Sequence, residues 1–272
     1  MLHLYVAVIV ISLSIAILLE SLLPLHHGTA VPLKRWWRNL TLSALALSVS
    51  TASSVLFWAS ARTFGVVPGQ GLLANLGLPV WAQWIAAFLI LDGVAYGLHR
   101  LSHAAPWLWR LHAVHHSDPE LDATTTHRHH PAENLVVALA TLPLLLLLAP
   151  PVWAVLAYGM SAVVVSTFSH GNLALPHWFD RALRNFIVTP AFHRTHHSAY
   201  QPQTDSNYAT VFPLFDLVFR SASTADADKG LALTIGLETS RDQASQSLLS
   251  LLAAPFRGQA KGSTPSTSRL GS

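Results

Sequence analysis

Long apolar runs joined by short polar connections dominate the first two thirds of the chain. Leu4 to Leu23 is interrupted only by Ser12, Ser14, Glu20 and Ser21. A helix of that length rises about 30 Å, enough to cross a hydrocarbon core. No Lys or Arg precedes the run and no small-x-small site follows it, so a span is expected rather than a cleaved signal peptide. A second uncharged stretch, rich in Ser and Thr, lies between Arg38 and Arg62 and predicts a span near 40–60. A third, near 78–98, contains Asp92. Apolar sequence returns over 135–168, broken at Pro150 and Pro151, and predicts a helical hairpin. Its arms, at about 15–18 residues, rise about 22–27 Å, so the hairpin either spans or dips deeply. Both of its ends lie on one side in either case.

Two polar segments flank this hairpin, His99 to Glu133 and His170 to Arg220. The membrane domain is therefore expected over 1–220. The remainder, 221–272, turns to Ser, Thr, Ala and Gly, with one surface-lying helix expected near 244–256 and disorder from Lys261. The expected fold is all-α: a multi-span membrane helical bundle with a histidine-rich helical cap.

Composition agrees with this pattern. Hydrophobic residues make up 51% of the chain and charged residues only 11%, against about 25% charged in an ordinary soluble domain. Mean hydropathy is +0.41. Cysteine is absent, which excludes disulfides, thiolate zinc sites and cysteine-ligated iron–sulfur clusters. A formal charge of only +3 gives no reason to expect nucleic-acid binding. The first loop carries Lys34, Arg35 and Arg38 without an acid, whereas the second, from Arg62 to Pro79, carries Arg62 alone. The positive-inside rule then makes the first loop cytoplasmic and the N-terminus external. Three crossings deliver both histidine-rich segments to the cytoplasmic face of what is expected to be the cytoplasmic membrane.

Histidine changes the picture most. There are 16, more than the 13 acidic residues together. His99 and His103 are spaced i, i+4 and share a helix face. His112, His115 and His116 combine i, i+3 and i+4, so one short helix offers a pair to one metal and a single ligand to the next. His193, His196 and His197 repeat that spacing, and His170 stands alone between the blocks. These nine imidazoles exceed what one ion can use, and they suit a pair of metals with four or five nitrogens each. A zinc hydrolase needs only about three protein ligands per ion. His3, His26, His27 and His177 fall outside any such pattern.

The motifs also resemble a known family. Asp92-x-x-x-Tyr96-x-x-His99-Arg100-x-x-His103, His112-x-x-His115-His116-Ser117, Arg128-x-His130-Pro131-x-Glu133 and Ser169-His170-x-Asn172 are similar to those of the fatty acid hydroxylase/sterol desaturase superfamily. So are Thr189-Pro190-x-Phe192-His193-Arg194-x-His196-His197-Ser198 and the tail from Thr204-Asp205-Ser206-Asn207-Tyr208 to Phe215-Asp216-x-x-Phe219. The resemblance covers roughly Leu78 to Ser221. It implies two non-haem iron ions held by the nine histidines, with O2 as co-substrate and a lipid or sterol-like C–H bond hydroxylated or desaturated. Within His127-Arg128-His129-His130 only His130 matches, as a metal or supporting residue; His127 and His129 stay unassigned.

Several further residues carry weaker signals. Asp92 either orients a ligating imidazole or snorkels to the interface. Glu133 and Arg128 form supporting contacts or a simple ion pair. Asn172 supports His170 or merely shapes a turn, and Asp205 supports a ligand or caps a loop. Trp107 and Trp109 read as interfacial anchors, and Trp36 and Trp37 as a membrane-interface belt. No nucleotide- or flavin-binding glycine motif is present, so electrons are expected from an external donor protein, and the substrate from the lipid bilayer. Three other readings compete. A bis-histidine haem cytochrome needs histidines at mid-span, a metal transporter needs ligands at the bilayer midplane, and a scaffold would bind metal only incidentally.

Overall fold

The computed structural model describes residues 2–26, 33–223 and 233–257. His27 and the segment from Lys261 onward lie outside them. Five helices are long and apolar enough to cross a membrane. They are α1 (Leu2–Leu22), α2 (Leu33–Thr63), α4 (Val80–Ala104), α6 (Pro131–Leu148) and α7 (Val152–His170). Among the described residues there is no strand, only the isolated bridges Pro24–Leu173 and Ser198–Ile235. The chain is an integral membrane protein of the all-α class.

The spans pack as a bundle in which α2 lies mainly on α6, α1 on α7, and α4 on α7. Their outer faces expose large apolar side chains, such as Ile11, Ile15 and Leu18 on α1 and Val55 and Leu56 on α2. Exposed apolar surface on this scale is costly in water and unremarkable in lipid. Both hairpin arms are full helices of 18 and 19 residues, each rising about 27–28 Å. The turn between them uses Ala149 in the left-handed region at φ 36°.

α1, α4 and α7 end, and α2 and α6 begin, on one side of the bundle. A cap of short helices covers that side: α5 (Pro106–His116), α8 (His177–Leu183), α9 (Pro190–His196), α10 (Gln201–Thr204), α11 (Leu214–Val218) and α12 (Leu248–Ala253). A four-residue helix, α3 (Leu72–Asn75), lies in the opposite connection. The cap is sealed to the spans by buried polar contacts rather than by apolar packing alone. The Asp118 carboxylate accepts from Arg35 at 2.8 Å, Asn39 at 3.1 Å and Thr125 at 3.0 Å. Arg128, fully buried, donates to the Val114 carbonyl, Asn39, Ser117 and Gln246. Glu20, near the end of α1, accepts the backbone N–H groups of Ala123 and Asn172, both at 2.8 Å. α12 joins the cap through buried Leu251, which packs on Leu42 and Val114, while Leu249 and Phe256 face outward.

Two expectations are corrected here. Arg35 is no loop charge: it is buried in the first turn of α2, where it pairs with Asp118 and Asp122. Arg128 does not pair with Glu133; its guanidinium is consumed by the carbonyl, amide and hydroxyl partners just named.

Candidate metal centre

Local sequence sets each histidine block. Pro106 at the first position of α5 and Pro190 at that of α9 start helices where their missing N–H is no loss. Thr189 caps α9 by accepting from the Phe192 N–H. From those starts, three-and-four spacing presents His112, His115 and His116 from α5, and His193, His196 and His197 from the end of α9. His99 and His103 come from the last turns of α4, and His170 is the last residue of α7.

The fold gathers all nine into two adjoining groups. His99, His103, His112, His116 and His196 form one, and His115, His170, His193 and His197 the other; within each, one nitrogen per ring lies within 4.8 Å of all the others. The groups touch through stacked His116 and His197, whose ring centroids are 4.6 Å apart. Nε2 atoms face inward: His99 to His112 and His112 to His116 are 3.1 Å apart. In the second group His170 lies 3.1 Å from His115 and His193 and 3.2 Å from His197. Two nitrogens about 2.0–2.1 Å from one first-row ion and roughly 100° apart stand about 3.1 Å from each other, so the spacing fits a shared cation.

Hydrogen bonding behind the rings sharpens that fit. His99 Nδ1 lies 2.7 Å from the Tyr208 carbonyl, and His112 Nδ1 lies 2.7 Å from Glu133 Oε1. A carbonyl and a carboxylate only accept, so both Nδ1 atoms carry the proton and both Nε2 atoms carry lone pairs. Those lone pairs point at each other across 3.1 Å. Between neutral rings such a contact is repulsive, and a cation held between the two nitrogens relieves it. His170 is fixed the same way by the Ser166 carbonyl at 2.7 Å, and His196 by the Ser206 carbonyl at 2.6 Å. His196 Nε2 is buried with no hydrogen-bond partner. His103 Nδ1 stands 3.3 Å from Asp205. Ligating imidazoles characteristically spend their other N–H in this manner.

Electrostatics favours neutral imidazole, the form that binds metal. Burial first, then the neighbouring rings, holds His115, His116, His193 and His197 well below the usual imidazole range, and pushes His196 to about 3. His127, half-buried beside His129, is pushed to about 4. His129 goes the other way: burial alone would lower it, but the Glu133 carboxylate outweighs burial. Its ring stacks on His115 at 4.4 Å, and its Nδ1 lies 3.0 Å from Glu133 Oε2.

The remaining candidates fall elsewhere. Asp92, fully buried, accepts the backbone N–H groups of Val211 and Phe212, so it neither orients an imidazole nor reaches the interface. His130 caps α6 through Ala132 N–H and reaches the Leu252 carbonyl. Asn172 exchanges hydrogen bonds with the backbone of His26 rather than with His170. Trp107 is exposed, but Trp109 is buried with its ring 5.0 Å from His103 and 5.4 Å from His116. Sequence reasoning missed Tyr208, whose ring lies 5.2–5.7 Å from His103, His99 and His196. Its place in the Asp205-to-Tyr208 tail motif was the available signal.

Nine imidazoles in two adjoining groups at the ends of membrane-spanning helices could hold metal ions, and sequence comparison gives the family they belong to. Residues 84–221 match the fatty acid hydroxylase family, and the chain belongs to it. It is 34% identical to the ornithine lipid hydroxylase of Rhizobium tropici over 142 residues, covering 49% of this chain and 41% of that protein. It is 26% identical to human alkylglycerol monooxygenase over 179 residues, covering 63% and 35%. With a methylsterol monooxygenase of Arabidopsis thaliana it shares 28% identity over 165 residues, covering 58% and 60%. The chain thus spans less than two thirds of each of these relatives. No solved structure matches it.

Proposed function

We propose that the chain is an O2-dependent lipid oxygenase in which the nine clustered histidines hold two iron ions. The observation that carries this reading is the pair of lone-pair nitrogens, His99 Nε2 and His112 Nε2, in contact at 3.1 Å while both Nδ1 protons are committed elsewhere. Five donors in one group and four in the other suit two ions, and neutral imidazole suits iron among the first-row metals. Bound iron would supply reduction of O2 and hydrogen abstraction from an unactivated C–H bond. The protein's part is to fix the rings, keep them neutral and bury them away from bulk water. No side chain is needed as a nucleophile.

The related proteins act on an ornithine lipid, an alkylglycerol and a methylsterol by name, which supports a lipid substrate drawn from the bilayer. Hydroxylation and desaturation both fit the site. The electrons come from an external donor protein, since the sequence holds no flavin, nicotinamide or iron–sulfur motif. Loop charge supports a cytoplasmic site and an external N-terminus; Lys34 and Arg38 remain on the cap side after Arg35 is set aside as an internal partner. Nitrogens in direct contact leave no slot for a porphyrin, which weighs against a haem cytochrome, and ligands at the ends of spans weigh against a midplane transport site.

The test is metal analysis and lipid profiling of purified protein and of cells with and without it. Two non-haem irons per chain and an oxygenated or unsaturated lipid product are expected. A Soret band, or iron-loaded protein that consumes no O2 with any bilayer lipid and reductant, would overturn the reading. A reporter fused after Arg220 should score cytoplasmic.

A further inference from the structure

One stretch of the histidine-rich side lies much deeper than its polar neighbours. Asp92 sits inside α4, yet its two carboxylate oxygens accept the N–H groups of Val211 and Phe212, each at 3.2 Å. Phe212 reaches further down the same helix, to Phe88, with ring centroids 5.5 Å apart. Phe215 lies so close over Gly93 that a Cβ there would stand 2.8 Å from the ring. Val211 and Ala209 belong to a buried core cluster with Val165 of α7, against which Tyr158 and Ala162 of the same helix also pack.

Depth follows from helix rise. Asp92, which meets the 211–212 backbone, is 12 residues before Ala104, the last residue of α4, and so lies about 18 Å below the metal-side end of that span. Val165 and Tyr158 are 5 and 12 residues before His170, the last of α7, and lie about 8 and 18 Å below its end. Both spans therefore place residues 211–215 below their metal-side ends, within the reach of a hydrocarbon core about 30 Å thick. Irregular backbone is tolerated there only where its polar groups find partners within the protein. The Asp92 carboxylate supplies such partners, and Asp216 does so for Tyr208 and Ala209 N–H at 3.0 and 2.8 Å.

We infer that residues 208–219 form a re-entrant segment, and that the apolar face of α11, made by Leu214, Leu217, Val218 and Phe219, contacts the hydrocarbon chains of bilayer lipids. All four side chains are exposed. The α11 face is continuous with α4: Phe215 and Phe219 both stack on Tyr96, at 5.8 and 5.5 Å. From Tyr96 the contact continues to Tyr208, at 6.2 Å, and so to the imidazoles of the first group. The same segment thus touches lipid at one end and, through the Tyr208 carbonyl on His99, the metal-binding rings at the other. The inference rests on packing depth and holds whatever reaction the site performs.

The natural absence of cysteine makes the test direct. Leu217→Cys and Val218→Cys, both at exposed positions that leave the core intact, are labelled with an environment-sensitive fluorophore and reconstituted with the full chain into phosphatidylcholine vesicles. Glu238→Cys, exposed on the cap, is the aqueous control. Brominated acyl chains should quench both α11 labels several-fold more than aqueous iodide does, with the order reversed at Glu238. Stronger quenching by iodide at both α11 sites would place the segment at the water surface and overturn the inference. Protection from both quenchers would mean that a protein surface, such as a second copy, covers α11, and would overturn it equally.

Discussion

The two imidazole groups share α5 and α9 but are held in different ways. In the five-membered group, His99, His103, His112 and His196 each direct Nδ1 at a fixed oxygen, from Tyr208, Asp205, Glu133 and Ser206. In the four-membered group only His170 is fixed so, by the Ser166 carbonyl. Nδ1 of His115, His193 and His197 is buried with no hydrogen-bond partner among the described residues. The first group is oriented before a metal arrives. The second is placed by helix register and by ring-on-ring packing. Orientation by an outer layer and orientation by scaffold alone thus coexist within one site.

The largest effect that would sharpen this contrast comes from the scaffold-held group. His197→Ala removes one of only four donors, and iron in that group and all product formation should be lost; full activity would break the assignment. Next, Glu133→Ala removes the acceptor behind His112. Metal affinity should fall by about 10–100-fold in the five-membered group while the other group keeps its metal, as read by metal titration with spectroscopic resolution of the two ions. Equal weakening of both would show that the groups are not separately oriented. Asp205→Asn should do less, because its contact with His103 is longer, at 3.3 Å, and the carboxylate is partly exposed.

The smallest difference between the groups should come from Asp118→Ala, which touches neither set of nitrogens. Burial by itself would raise the Asp118 carboxyl, but the charges of Arg35 and Arg128 outweigh it and hold it below the usual carboxylate range. A depressed carboxyl stabilises the fold above its ordinary range and loses that contribution as pH falls through the depressed value. Removing one partner of such a buried pair costs about 3–5 kcal/mol. The variant should melt earlier at neutral pH, the gap should narrow on acidification, and both metals should weaken together.

Much of this site was legible because helical spacing is written in side chains. The three-and-four intervals of His112 to His116 and His193 to His197 place imidazoles on one face whatever surrounds them. The apolar runs overlap the five long helices, although α2 begins at Leu33 rather than near residue 40, so carrying Arg35 and Asn39 into the cap, and α4 runs on to Ala104 rather than ending near 98. What stayed hidden depends on tertiary contacts. The carbonyls of Tyr208, Ser206 and Ser166 orient rings, yet any residue type supplies a carbonyl. Trp109 has the composition of an interfacial anchor, and only packing shows it buried against His103. Asp92 looked like a supporting carboxylate for histidine because nothing in sequence shows that a distant loop returns to its depth.

Glu20 has a consequence for the order of assembly. Its partners Ala123 and Asn172 lie 103 and 152 residues further along the chain. At synthesis rates of about 5–20 residues per second, α1 waits several seconds in the bilayer before either partner exists. It is made ahead of α2, α4, α6 and α7 but gains its second partner only after α7, so it acts as a latch that closes fully over a bundle already threaded. A ribosome stalled before Asn172 has emerged should therefore leave α1 extractable from the rest, and release of the full chain should lock it in place.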